Sequence, residues 1–462
     1  MPEPADPTLP PWARVLDAAG LALIVLGISV LFTGGFREWT PLGRLSVTSP
    51  VRPLVLAAVL LLLRHVVQRQ PSVVSRAAGI LARARHSVTL QAVWPIVFAS
   101  RLGVLAIGVL GIALLGYAPN TPPYRIYNND LLDMPARWDT GWYMGIATSG
   151  YAFDPAATEA MQNIAFFPLY PMLMHYVAAA MGRHVIWAGV AISCVAFLWA
   201  AIYLYKFATT RLDAAAAATA VALLAAYPFA LFFSAAYTES LFLLTIVATC
   251  FHFERDQLWK ASAWGLAAGL TRPNGCFLSI VLALVALRDY PTASWRDLAR
   301  RVMVAATPGI GMLIFSTYIY TLTGNPFQWA AQHAAWGRMY RGVGALVTDR
   351  LDFIQANGLY DYASTMWLDM INVGAVVFAL GSVWPVYRRF GIPYAALILV
   401  NVLPPLSFGG VLSMGRLTSV LFPTFLWLGA VIPANQRSSW LVGFAMLQAL
   451  FAVAFFTWRP LY

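Results

Sequence analysis

The sequence predicts an all-α, polytopic integral membrane protein, and three observations carry that prediction. Apolar residues make up 60% of the 462 and charged residues only 11%, against the roughly 25% charge of soluble domains. Mean hydropathy is +0.68. Several uninterrupted apolar stretches (18–33, 91–115, 214–233, 302–322, 370–386 and 440–457) approach the roughly 20 residues that a helix needs to cross a bilayer. The N-terminal Met-Pro-Glu-Pro-Ala-Asp-Pro has no basic region. It is read as a short tail before the first span, not as a cleavable signal.

The net charge of +11 raises the question of nucleic acid, and its placement answers it. Residues 64–89 hold five arginines (64, 69, 76, 83 and 85) and no acid. That is the mark of a cytoplasmic connection. Residues 117–165 hold Arg125 and Arg137 against five acids and no lysine, which assigns them to the opposite face. The basic excess is therefore topological, and no nucleic-acid partner is expected. Cys194, Cys250 and Cys276 fall inside apolar runs, so they read as packing residues. No cluster has metal-ligand spacing, and no metal or other cofactor is expected.

Threading the spans through these markers gives about 13 crossings. Spans near 16–33 and 53–69 come first, and 91–115 delivers the acidic loop to the outer face. The segment 166–182 begins Phe-Phe-Pro-Leu-Tyr-Pro, and its two prolines place it as a helix lying on that face, like the helix over 137–151. Spans 185–205, 214–234 and 240–253 follow, with Tyr237-Thr-Glu-Ser240 outside. Residues 261–287 are broken at Thr271-Arg-Pro-Asn-Gly275 into two short spans, and Arg288–Arg301 forms a second basic loop. The span 302–322 leads to a polar outer loop, 324–365, and three or four spans close the chain. Residues 1–90 form the tail and two peripheral helices, and 91–462 a single core. The loop 35–52, with three arginines and one acid, disagrees with its outer placement.

Under this threading Asp139, Glu239, Arg272 with Asn274, and His333 with Arg338 share the outer side, and Arg416 makes a fifth contribution. Ionisable groups in a membrane protein normally converge on a cavity or pathway. Each has a plainer alternative. Asp139 and Glu239 could cap the helices that follow them, Asn274-Gly275 could simply turn the chain, His333 could be a hydrogen-bonded structural residue, Arg338 and Arg341 could be surface charges, and Trp138 or Trp142 could be an interfacial anchor. Asp130 and Asp133 read as solvated loop acids.

The order of these motifs carries a resemblance. Arg137-Trp138-Asp139, Trp142-Tyr143 and Gly150-Tyr151, followed by Phe166-Phe-Pro168, Tyr237-Thr-Glu-Ser-Leu-Phe242, Thr271-Arg-Pro-Asn-Gly275, Gln332-His333 through Trp336-Gly-Arg338, and Ser413-Met-Gly-Arg416, resemble the PIG-V-type GPI mannosyltransferases. The resemblance implies a GT-C glycosyltransferase fold, a polyprenyl-phosphate-linked sugar donor, and a catalytic acid in the first large outer loop. It also implies inversion at the sugar carbon without a bound metal.

The residues suit that chemistry. Asp139 is the candidate base for an acceptor hydroxyl, and Arg272, Arg338 and Arg416 are the candidates to grip the departing phosphate. Arg137, Trp138, Trp142, Tyr143, Glu239, Asn274, Gln332, His333 and Trp336 are the candidates to line the sugar and acceptor sites, with Trp138 and Trp142 one helical turn apart. The acceptor is a lipid, glycan or protein on the extracytoplasmic side of the plasma membrane. The rival reading is a transporter or scramblase of lipid-linked sugars, which calls for paired broken helices; the sequence shows one, at 271–275.

Overall fold

A computed structural model describes residues 9–461, apart from 41, 42, 70, 120, 122–124, 290–293 and 341. Their regular structure is helical except for one hairpin, Phe36–Thr40 paired antiparallel with Gly43–Val47, Phe36 opposite Val47. The hairpin falls in the discordant loop 35–52, where aromatic and β-branched residues favour extended backbone. The chain packs as two compact units, residues 1–91 with 174–188, and residues 92–173 with 189–462.

In the first unit the helices Pro11–Thr33 and Val51–Val67 lie against each other. Asp17 is buried and pairs with Arg64 Nε at 2.8 Å and with Arg76. The fully buried Arg64 also donates to the carbonyls of Gln68 and Pro71, at 2.8 and 2.6 Å. A charge this deep persists only when paired and hydrogen-bonded, and here both conditions hold.

Six described helices are long and apolar enough to cross a membrane: Pro11–Leu31, Val88–Leu115, Val185–Ala208, Trp295–Thr323, Trp367–Phe390 and Ala434–Phe456. The bent pair Ala214–Ala226 and Pro228–Ser234 makes a seventh if it is one span. Length and composition therefore give six or seven crossings where the threading expects about 13. The difference lies in helices such as Glu239–Phe253, of 15 residues, and Phe422–Val431, of 10. At 1.5 Å per residue they fall short of a hydrocarbon core of about 30 Å. The helix Leu169–Ala180, with 12 residues, is likewise too short to cross alone.

Two breaks shape the second unit. The expected one is present: the helix Leu258–Thr271 stops, Arg272 is extended, and a 3-10 turn Pro273–Phe277 leads into the helix Leu278–Asp289. Gly275 is required there, because a Cβ would meet the Ala268 carbonyl at 2.1 Å. The other interrupts the segment 214–234, expected as one span. The chain bends by 80° between Ala226 and Pro228, since proline supplies no N–H and disfavours a helical residue before it. The carbonyls freed at the bend are taken up from neighbouring helices. Buried Arg101 donates to Ala225 O at 2.7 Å and Ala230 O at 2.5 Å, and Gln448 donates to Ala225 O and Tyr227 O. Residues beyond the bend are thereby fixed where they enter Tyr237-Thr-Glu239.

Candidate functional site

The first loop is organised by an acid, Asp133, that its polar surroundings in the sequence would place in solvent. Asp133 is buried, its Oδ1 accepting the N–H groups of Ile126 and Tyr127 at 3.0 and 2.9 Å. Asp130 pairs with Arg125 at the surface, as a solvated acid would. Arg137 is also buried, donating to Phe456 O at 2.8 Å and to Asp133 O and Ala136 O, with its guanidinium over Trp458 and Tyr117. Arg137 therefore ties the loop to the C-terminal helix and does not present its charge to an open site.

Trp138 follows in the left-handed region, φ 51°, a conformation that costs a non-glycine residue free energy and recurs at functional sites. It precedes the helix Thr140–Ser149 and packs on Trp458, ring centroids 5.0 Å apart. The expected helical pairing of Trp138 with Trp142 is therefore absent. Trp142 instead stacks on Phe166 at 5.8 Å and meets Trp336 edge-on at 5.7 Å. Trp336 in turn lies beside His333.

Asp139 occupies the N-cap position of the helix Thr140–Ser149, yet its side chain makes no capping hydrogen bond. Its Oδ2 accepts from Arg416 Nη1 at 2.6 Å, across 277 residues of chain. The capping explanation thus fails on geometry. No hydrogen bond occupies Oδ1 among the described residues, and the side chain is 23% exposed. The backbone is held from behind, where the Asp139 N–H donates to Tyr237 Oη at 3.1 Å.

Glu239 resolves the same way. The helix Glu239–Phe253 begins at Glu239 itself, with no side-chain cap. Its fully buried carboxylate receives Arg272 Nη1 at 2.9 Å and stands 3.3 Å from Arg416 Nε, both at Oε1. One carboxylate oxygen thus serves two guanidiniums from separate segments, and Arg416 links Glu239 to Asp139. Ser413, three residues before Arg416, is also left-handed at φ 62°. Gly415 is required because a Cβ would lie 2.1 Å from the Phe229 ring.

Arg338 completes the group from the second loop. It lies within electrostatic reach of Arg416, Asp139 and Arg272, and burial, then the Arg416 charge, lower its pKa to about 10. Its guanidinium has no ion pair or hydrogen bond among the described residues. Burial, then Arg338, pulls His333 down to about 4, so that imidazole is neutral at physiological pH. Three guanidiniums face two carboxylates, a balance of +1. A positive balance of this kind attracts anions.

The other candidate residues take supporting positions. Asn274 Nδ2 donates to Asn401 Oδ1 at 2.6 Å, closing the broken segment onto the helix Ile392–Gly409. The buried amide of Gln332 donates to Thr158 O and Ala160 O, which joins the second loop to the first. Tyr143 is buried among Phe166, Tyr170 and Tyr237, its hydroxyl 3.4 Å from Thr238 Oγ1. Tyr237 was not a candidate, although it stands in the same motif as Glu239. It braces Asp139 and lies under the Arg416 guanidinium, 5.3 Å from its ring centroid.

Residues 116–322 match the family described as mannosyltransferase (PIG-V), so the resemblance seen in the motifs holds over that stretch. Asp139, Glu239, Arg272 and Asn274 lie inside it, and Arg338 and Arg416 beyond it. A search among curated proteins gave no match. Among solved structures, the chain is similar to an oligosaccharyltransferase of Archaeoglobus fulgidus crystallised with zinc and sulfate. The TM-score is 0.36 at 15% identity, over 78% of this chain and 53% of that one; the chain spans about half the length of that protein.

Proposed function

We propose that this multi-pass membrane protein, a glycosyltransferase by the similarity of residues 116–322 to the PIG-V mannosyltransferases, moves mannose from a polyprenyl phosphate to an acceptor hydroxyl. The acceptor is a lipid, glycan or protein on the outer side of the plasma membrane. The fold is of the GT-C kind with about 13 crossings, the shorter apolar helices crossing together with the turns that extend them. One observation carries the reading: a carboxylate with a free oxygen, Asp139, is joined through Arg416 to a group of arginines with a surplus of one positive charge.

The reaction divides among these residues. The acceptor O–H bond breaks as its oxygen attacks the sugar carbon, and Asp139 Oδ1 takes the proton. The new C–O bond forms as the sugar–phosphate bond breaks on the opposite face, which inverts the carbon. The bonding electrons leave with the lipid phosphate, whose charge grows from −1 to −2. Arg338 and Arg416, with Arg272 behind them, bind that growing charge more strongly than the starting diester, which is the condition for catalysis. Glu239 holds two of the guanidiniums in place. Trp142 and Trp336 offer aromatic faces to the apolar side of the sugar. His333, neutral, contributes hydrogen bonding without competing for the phosphate.

The second break, at 226–228, gives the transporter reading the paired broken helices that it lacked in the sequence. Transfer chemistry is favoured by the free Asp139 oxygen beside bound arginines, a pairing that translocation does not require. The two separate in one assay. Full-length protein in nanodiscs receives polyprenyl-phosphate [14C]mannose or GDP-[14C]mannose, with an extract of membrane lipids. Label is expected in a new glycoside from the polyprenyl donor alone. Transfer only from the nucleotide sugar would overturn the donor assignment. In proteoliposomes, movement of intact donor across the bilayer without cleavage would instead establish transport.

A further inference from the structure

A cavity of about 400 Å³ adjoins the arginine group without overlapping it. It opens among the helix Gly342–Asn357, the start of Trp367–Phe390 and residues 410–412. Two of its walls are shared with the site. Gly337 lines it and precedes Arg338. Asn372 lines it too, and its Oδ1 accepts the N–H of Gly415, beside Arg416, at 2.6 Å.

The charges of the cavity exclude a second phosphate. Arg350 grips Asp369 with two bonds, Nε to Oδ2 at 2.7 Å and Nη2 to Oδ1 at 2.5 Å, and also donates to Leu346 O. Tyr362 adds a hydroxyl to the same carboxylate. That pair is neutral and saturated. The remaining charge is Asp349, which has neither ion pair nor hydrogen bond among the described residues. A free carboxylate repels an anion but accepts hydrogen bonds from hydroxyls. Met339, Leu346 and Met366 supply apolar wall, fit for the C–H face of a sugar ring or the first carbons of a lipid stem. The size lies within the usual range for small-molecule sites.

We propose that this cavity binds the acceptor of the reaction described above, and that the acceptor is an uncharged saccharide carried on a lipid, with Asp349 holding its hydroxyls. The assignment rests on the transferase reading and extends it. It gives the attacking and departing groups adjoining pockets, one with a free carboxylate and the other with guanidiniums.

The test uses full-length protein in nanodiscs, with octyl α-mannoside, octyl glucoside and octyl galactoside as probes. Saturable binding of at least one is expected without donor. Asp349→Asn should weaken it tenfold or more, and Leu346→Trp, which fills the cavity, should remove it. With polyprenyl-phosphate mannose present, both substitutions should raise the acceptor KM and leave the donor KM unchanged. Asp349 is solvent-exposed, so its substitution decides the matter alone if the tryptophan variant misfolds. Failure of all three probes to bind, or binding that neither variant weakens, overturns the site and leaves the transferase reading intact. Glycoside binding lost in the variants, with no sugar transfer by wild type, overturns the transferase and retains a saccharide site.

Discussion

Replacing Asp139 with asparagine separates proton transfer from anion binding, because the structure makes the two effects opposite in sign. Asparagine keeps an oxygen able to accept from Arg416 but cannot take a proton at neutral pH. The helix loses no cap, since Asp139 makes no capping bond. Arg416 retains Glu239 at 3.3 Å. Because the replacement amide still accepts from Arg416, and Arg416 keeps Glu239, melting should shift little. Loss of a general base costs on the order of 10²–10⁴ in rate, or about 3–5 kcal/mol of activation free energy. Meanwhile the local charge rises from +1 to +2, so the donor phosphate should bind as well as before or better. The assay is steady-state transfer from polyprenyl-phosphate [14C]mannose, with kcat and donor KM resolved and expression and melting checked. The expected result is a kcat lowered by at least about 10²-fold at an equal or lower donor KM. A kcat within threefold of wild type, or a donor KM raised tenfold at unchanged kcat, would refute Asp139 as the base.

Four further outcomes follow from the same contacts. Arg338→Met removes the guanidinium of the group that has no ion pair among the described residues (removing a charge-assisted hydrogen bond costs about 1.5–3 kcal/mol), so donor KM should rise about 10- to 100-fold with little change in melting; an unmoved KM would remove Arg338 from the phosphate site. Glu239→Gln leaves Arg272 with no carboxylate partner among the described residues and Arg416 with Asp139 alone, and should lower both melting temperature and kcat, while Arg272→Met in that background should partly restore the melt. Asp17→Ala strands the buried Arg64 and should cost about 3–5 kcal/mol in stability, whereas Asp17→Leu combined with Arg64→Met should cost much less, both read from thermal melts. His333, whose folded pKa of about 4 lies below its unfolded value near 6.5, binds fewer protons folded than unfolded between those values. Stability should therefore fall as pH drops from about 6.5 to 4 and be indifferent to this group above that window; His333→Gln should flatten the acid limb of a pH–melting curve.

The sequence disclosed identities better than relations. Asp139, Glu239, Arg272, Arg338 and Arg416 are recognisable because the threading puts each of these ionisable residues on one side and each stands in a motif of the resemblance. The proline and glycine of Thr271-Arg-Pro-Asn-Gly275 marked the break that the chain makes there. Pro228 carries the same signal at the other break, but the apolar run that continues through it masks the break. What the sequence could not disclose were distances across the chain. That Asp139 meets Arg416 over 277 residues, or that one oxygen of Glu239 serves two arginines, depends on tertiary packing. Arg137 and Asp133 illustrate the converse error. Both sit in a polar loop and so read as solvent or ligand contacts, yet both are buried and hydrogen-bonded to backbone groups. The left-handed Trp138 breaks the periodicity that would have paired it with Trp142.

These relations also explain why a site of this kind is assembled from loops and helix ends. A guanidinium in the middle of an apolar span must find fixed partners, and Arg101 shows the outcome, its donors consumed by the carbonyls of the bend at 226–228. A residue so saturated has nothing left for a ligand. Arg338 lies in a loop, among neighbours that oppose its charge, and its donors remain available. Between these extremes stand Arg272 and Arg416, each tied to Glu239 yet close enough to the surface to be 9% exposed. The gradient from Arg101 through Arg416 to Arg338 runs from a guanidinium that braces the fold to one poised for an incoming anion. Tyr237-Thr-Glu239 lies at its centre, since the bend that Arg101 braces delivers both the hydroxyl that holds Asp139 and the carboxylate that holds the two arginines. A substitution at Arg101 should therefore damage activity through Glu239 and Asp139 while touching neither.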